Sequence, residues 1–238
     1  MKKSKPNLGV VYTIMTVLTL IGIAIVIRRT LNLIPILENG YHPPKPASNP
    51  QLQALANLDD IFAHYPFLTL IHIIPGLFFI LSAPFQFIKN ISAKYPKWYH
   101  ASRHIFFISG FIVGVTAFIM SIAIPSIGGF NQAAATILFS ILFLFFLSKT
   151  FFNLRSGKTI LYREWMIRAY AIGIAIATIR PIIGIFFATS KLSGLTPYEF
   201  FGTAFWIGFV IHLIIAEVWI YKTRQMLEEE MFDKHIQP

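Results

Sequence analysis

"AYAIGIAIATIRPIIGIFFATS", residues 169–190, decides how this chain is read. The stretch is long and apolar enough to cross a bilayer, which takes about 20 residues of helix. Arg180 and Pro181 nevertheless sit in its middle. At about 1.5 Å per residue, Arg180 lies about 17 Å deep in a hydrocarbon core about 30 Å thick. An arginine there costs at least about 2.5 kcal/mol. It must therefore face the interior of a bundle and find a partner, so other membrane helices have to surround it.

The rest of the chain supplies them. Hydrophobic residues make up 55% of the sequence and charged residues 13%, where a soluble domain carries about a quarter. The expected fold is an all-α polytopic membrane protein, a single six-span domain over 1–238. The spans are about 9–27, 66–88, 105–124, 133–152, 169–190 and 201–221, with an outer loop at 28–65. The first is too long for a signal-peptide core and lacks a small-x-small cleavage site, so it is expected to be retained. No cysteine is present, which excludes disulfides and thiolate metal sites. The net charge of +10 reads as flanking charge that orients spans, not as a nucleic-acid surface.

Fifteen Lys and Arg residues fall on one side of the spans and four on the other, with Arg180 left inside. The positive-inside rule then places both termini in the cytoplasm of a bacterial inner-membrane protein. The outer loop holds the proline-rich "YHPPKPASNP" (41–50) and then "NPQLQALANLDDIF" (49–62). The latter reads as an amphipathic surface helix capped by Asn49, with Pro50 in its first turn and Leu55, Leu58 and Phe62 near one face. The basic, aromatic inner loops suit lipid headgroups. The bilayer is thus the expected partner, with a homo-oligomer or other membrane proteins left open. The tail after Tyr221 is expected to continue the last helix. Three spans plus three, each half with a proline in its middle helix ("HIIPGLFF", "IRPIIGIFF"), would suit a transporter-like inverted pair.

Within the spans the polar candidates are few. Pro181 has no N–H, so the Ala177 carbonyl loses its helical donor and a guanidinium could replace it. Glu217 is the acid deepest in a span, and its side chain leans toward that of Arg180. An Arg180–Glu217 network is the favoured expectation, and a Glu217–Arg168 pair the rival. His72 and His212 lie inside spans, and His100 and His104 share a helical face at the start of the third. Facing histidines could hold haem axially, although His72 and His212 differ by about 7 Å in depth. Zinc would need a third protein ligand. No Ser-His-Asp set, phosphate loop or HExxH motif is present.

From about His64 to Trp219 the chain resembles the bacterial membrane-protein family catalogued as domain of unknown function 2306. The resemblance rests on His72, Gly76 and "APFQF" with Pro84, Gln86 and Phe87, then His100, then Gly128 and Gly129. "REWMIRAYAIGIAIATIRPIIG" matches through Arg163, Trp165, Met166, Arg168, Tyr170 and Arg180, and the last span through Trp206 and Glu217. The chain departs at Tyr162, where the family has histidine, at His212, where it has asparagine, and near His104, where it has glycine. The resemblance implies a polar cluster of His72, Gln86, His100, Arg163, Arg180 and Glu217, to which Tyr162 and Arg168 are adjacent. It supplies no activity.

Three readings follow. A membrane redox or cofactor-binding protein holding haem b or quinone, with His72, His100, His212 and Arg180 as ligands or clamps, is placed first. A small-anion or proton-coupled transporter is second, with Arg180 as the anion site. A non-catalytic assembly subunit is third.

Overall fold

Proline opens four of the helices. Pro50, Pro66, Pro96 and Pro197 are each a first residue, where the missing N–H is not needed and φ is already helical. The computed structural model describes residues 8–43, 50–87 and 91–236. In chain order the helices are α1 (Leu8–Asn39), α2 (Pro50–Ala63), α3 (Pro66–Phe87), α4 (Ile91–Lys94), α5 (Pro96–Ala123), α6 (Gly129–Arg155), α7 (Thr159–Ser193) and α8 (Pro197–Ile236). No strand occurs among the described residues. Six helices, α1, α3, α5, α6, α7 and α8, are long and apolar enough to cross a membrane.

The "AYAIGIAIA" stretch explains why α7 sits at the centre. Ala175 and Ala177 are fully buried, and Ala169, Ile172, Ile174 and Ile179 are buried with them. Small side chains let neighbouring backbones approach, the packing that membrane helices favour. A Cβ at Gly173 would fall 2.3 Å from Phe79 Cε1 of α3, so glycine is required for that approach. Phe79 in turn stacks on Phe106 of α5 at 4.7 Å and meets Phe143 of α6 edge-on at 5.4 Å. One aromatic ring thus joins α3, α5, α6 and α7. Besides these, α7 packs on α1 and α8. Its far end closes at Gly194, whose φ of 70° is left-handed and suits glycine after a helix.

Several expected boundaries move. The first helix does not stop at residue 27 but runs through Arg28 and Arg29 to Asn39. Charge ended the apolar window there, but α2 supplies a carboxylate to those arginines and the helix continues. The fifth span likewise lengthens to Thr159–Ser193, and the third begins at Pro96, because polar residues at a span's end cost no helicity. The surface helix forms as α2 and packs on α1 and α3. Its expected cap Asn49 and the rest of 44–49 lie outside the described residues, as do the side chains of Leu55 and Leu58. The tail does extend the last helix, to Ile236. Pro75 and Pro181 lie inside unbroken helices, so neither marks the interruption typical of transporter half-helices.

Candidate functional site

The bundle has a near end, where α1 begins and α8 finishes, and a far end, where α1 and α7 finish. Arg180 lies between them on the α1 side of α7. Its Nε is buried and makes no hydrogen bond. The groups acting on it electrostatically are Arg29 and Arg28 of α1 and Asp59 of α2. The favoured Arg180–Glu217 network does not form. Glu217 instead accepts from Arg168 Nε at 2.5 Å and Nη2 at 2.9 Å, because Arg168 is about 18 Å nearer the near end, level with Glu217. Nor does Arg180 hydrogen-bond the Ala177 carbonyl that Pro181 leaves free.

α1 and α7 run parallel beside Arg180. The hydroxyls of Thr19 and Tyr170 face each other without reaching hydrogen-bond geometry. Ten residues farther along both helices, Arg29 neighbours Arg180. The buried side-chain polar atoms without a partner, among the described residues, are Thr19 Oγ1, Tyr170 OH and Arg180 Nε. All three therefore line the α1–α7 seam. Such groups are uncommon in folded proteins, and each calls for a physical reason.

At the far end of that seam Asp59 collects donors from a single face of α1. Its Oδ1 accepts from Arg29 Nη1 at 2.6 Å, and its two oxygens take a bidentate contact from Arg28 at 3.0 Å each. Asn32 Nδ2 adds a fourth contact at 3.3 Å. Arg29 is only 5% exposed and also lies over the Phe62 ring at 4.5 Å. The neighbouring Asp60 turns away and accepts from Tyr41. A recess of about 260 Å³ opens here, lined by Arg29, Asn32, Tyr41, His42, Asp59 and Asp60 among others. Two arginines thus hold one carboxylate by hydrogen bonds, and Arg180 feels its charge without bonding to it.

The near end carries different chemistry. Glu164 of α7 is 7% exposed and takes both Nε and Nη2 of Arg224 from α8 at 2.6–3.0 Å. With Arg168–Glu217 this makes a crossed ladder, acid then base along α7 against acid then base along antiparallel α8. Gln86 of α3 donates to Ser102 Oγ of α5 at 2.6 Å and accepts from Tyr162 of α7 at 3.3 Å. Tyr162 and Gln86 are thereby brought together, while Arg163 is exposed beside them.

The histidines do not converge. His72 Nδ1 lies 2.9 Å from Thr116 Oγ1, across α3 and α5. That hydroxyl also donates to the Ile112 carbonyl at 2.7 Å. His212 Nε2 lies 2.7 Å from Thr178 Oγ1, across α7 and α8. His100 is exposed and bonded to Arg103, and His104 bonds the His100 carbonyl. No metal-type cluster of three acidic or histidine ligands occurs among the described residues. The expected polar cluster is therefore distributed over separate helix pairs. Sequence reading missed Asp59, Glu164 and Arg224. The Glu164/Arg168 spacing on α7 and the Glu217/Arg224 spacing on α8 held the signal for the ladder.

A family model described as "Predicted membrane protein (DUF2306)" covers residues 69–220. The chain belongs to this family. The DUF2306 match takes in α3 to most of α8, with Arg180, Gln86 and Glu217, and leaves α1 and α2 outside it. No curated protein and no solved structure matches the chain. The Arg28–Arg29–Asp59 group is therefore contributed to the DUF2306 region by helices that precede it.

Proposed function

We propose that the protein binds a small anion inside its membrane domain and belongs to the small-anion transporter class. The observation that carries this reading is the buried, unpaired Nε–H of Arg180, facing two further arginines and a single shared carboxylate. Leaving a charged donor buried without a partner costs about 1–3 kcal/mol or more, and intramembrane ionisable residues commonly mark ion or substrate paths. The recess beside Arg29 and Asp59, about 260 Å³ and not itself lined by Arg180, falls below the range of about 300–1,000 Å³ that holds drug-sized ligands. An oxyanion or small carboxylate suits it better than a quinone ring with its tail. In a bacterial cytoplasmic membrane with both termini inside, as the Lys and Arg distribution favours, the recess opens to the exterior. A free anion and an anionic lipid headgroup share the chemistry the arginines would recognise.

Calorimetric titration of sulfate into the purified protein in mild detergent tests the reading. Wild type binds, and Arg180→Gln does not. Equal binding by both would move the site elsewhere. In nanodiscs, loss of sulfate binding on replacing phosphatidylcholine with phosphatidylglycerol would assign the site to a headgroup.

The redox or cofactor reading stands second, supported by the two histidines inside the spans, His72 and His212. His72 and His212 engage threonines on different helix pairs, which disfavours a shared haem. A Soret band in the purified protein, lost in His72→Ala, would reverse the order.

A further inference from the structure

We infer that Asp59 is a tethered internal ligand of the anion site, occupying the Arg28, Arg29 and Asn32 donors of α1. The inference rests on the anion-binding reading above. A carboxylate that takes two arginines and an asparagine from one face of α1 occupies that face as a bound anion would. The donor set is Arg28, Arg29 and Asn32, one turn of helix, and bidentate guanidinium–carboxylate contacts are the geometry by which arginine recognises oxyanions. Asp59 reaches it from a separate helix joined to α1 through the segment after Asn39, so its effective concentration there is high. It nonetheless leaves Arg180 Nε unpaired. An external oxyanion that displaced Asp59 would gain the α1 donors and could reach Arg180 as well. α1 and α2, which carry Asp59 and its donors, precede the family region at 69–220. Asp60 does not share the role, because it serves Tyr41.

The test compares sulfate binding by full-length wild type, Asp59→Asn and Asp60→Asn at constant ionic strength. If Asp59 competes for the arginines, its removal raises apparent affinity by roughly tenfold, since the binding-competent fraction rises. Asp60→Asn leaves the affinity at the wild-type value. Asp59→Asn also strips a counter-ion from buried Arg29, so its folding is followed in parallel. Sulfate must then raise the melting temperature of Asp59→Asn by more than that of wild type, because the anion takes over the role of the lost carboxylate. Equal affinity in wild type and Asp59→Asn overturns the internal-ligand role of Asp59 while leaving the anion site intact. An Asp59→Asn protein that sulfate cannot stabilise also contradicts it. No binding in any of the three proteins overturns the anion site itself.

Discussion

Arg168 of α7 and Glu217 of α8 form a bidentate ion pair, with nitrogen–oxygen distances of 2.5 and 2.9 Å. This pair removes from Arg180 the counter-charge that its depth seemed to demand. It also defines one rung of the ladder that locks α7 to α8, and the two rungs differ in burial. Glu164 is nearly buried and Glu217 half exposed. Removing Glu217 leaves the Arg168 side chain, 15% exposed, without its counter-charge, whereas removing Glu164 leaves Arg224, 52% exposed, able to turn to water.

Glu217→Gln, which strands the largely buried Arg168 charge, is therefore expected to destabilise the bundle by about 1–3 kcal/mol, and Glu164→Gln, which leaves Arg224 half exposed to water, by about 1 kcal/mol or less. Thermal or denaturant unfolding in detergent measures both. A double-mutant cycle of Glu164→Gln with Arg224→Gln should return a nonzero coupling of up to about 1 kcal/mol. Zero coupling would mean that the rung is not formed.

Gly173→Ala should cost about 1–3 kcal/mol through overpacking, since its new methyl would press on Phe79, itself held by Phe106 and Phe143. Phe79→Leu should recover part of that loss in the Gly173→Ala background while costing stability on its own. A Gly173→Ala protein as stable as wild type would show that α3 and α7 pack less closely.

Tyr41 gives the pH dependence. Its phenol donates to Asp60, and this hydrogen bond raises its pKa above the ordinary value, with the Asp60 charge acting in the same direction. A raised folded-state pKa means that the contribution is fully present below the unfolded value of about 10 and is lost as pH rises through the folded value. The wild-type minus Tyr41→Phe absorbance difference should show a phenol titrating above pH 10, and Asp60→Asn should bring it down. An unchanged titration in Asp60→Asn would contradict the contact.

The six spans were legible because hydropathy acts residue by residue and needs no partner. Arg180 was recognised as an interior residue for the same reason, since its cost is set by the bilayer alone. Its surroundings were not legible. Helix neighbours in space depend on how the bundle closes, and Asp59 lies in a segment read as a surface helix outside the membrane problem. Arg28 and Arg29 looked like the end of a span, whereas their pairing with Asp59 lets α1 continue beside α7. Arg168 and Glu217 lie level along α7 and α8, and the separation of the Arg180 and Glu217 backbones outweighs the lean of their side chains toward each other. Gln86 and Tyr162 did come together, although the resemblance offered a histidine at Tyr162. The Tyr162 hydroxyl donates to Gln86 Oε1 at 3.3 Å.

The most direct test of the anion site is the melting temperature of wild type and Arg180→Leu, each measured without and with saturating sulfate. Burying an unpaired guanidinium is costly and an apolar side chain of similar length is not. A ligand at about 100 times its Kd stabilises by about 2.7 kcal/mol. The expected result is that Arg180→Leu melts no lower than wild type without sulfate and gains nothing from it, while wild type rises. A variant that melts well below wild type, yet still gains the full sulfate shift, would make Arg180 a packing residue and contradict the anion site.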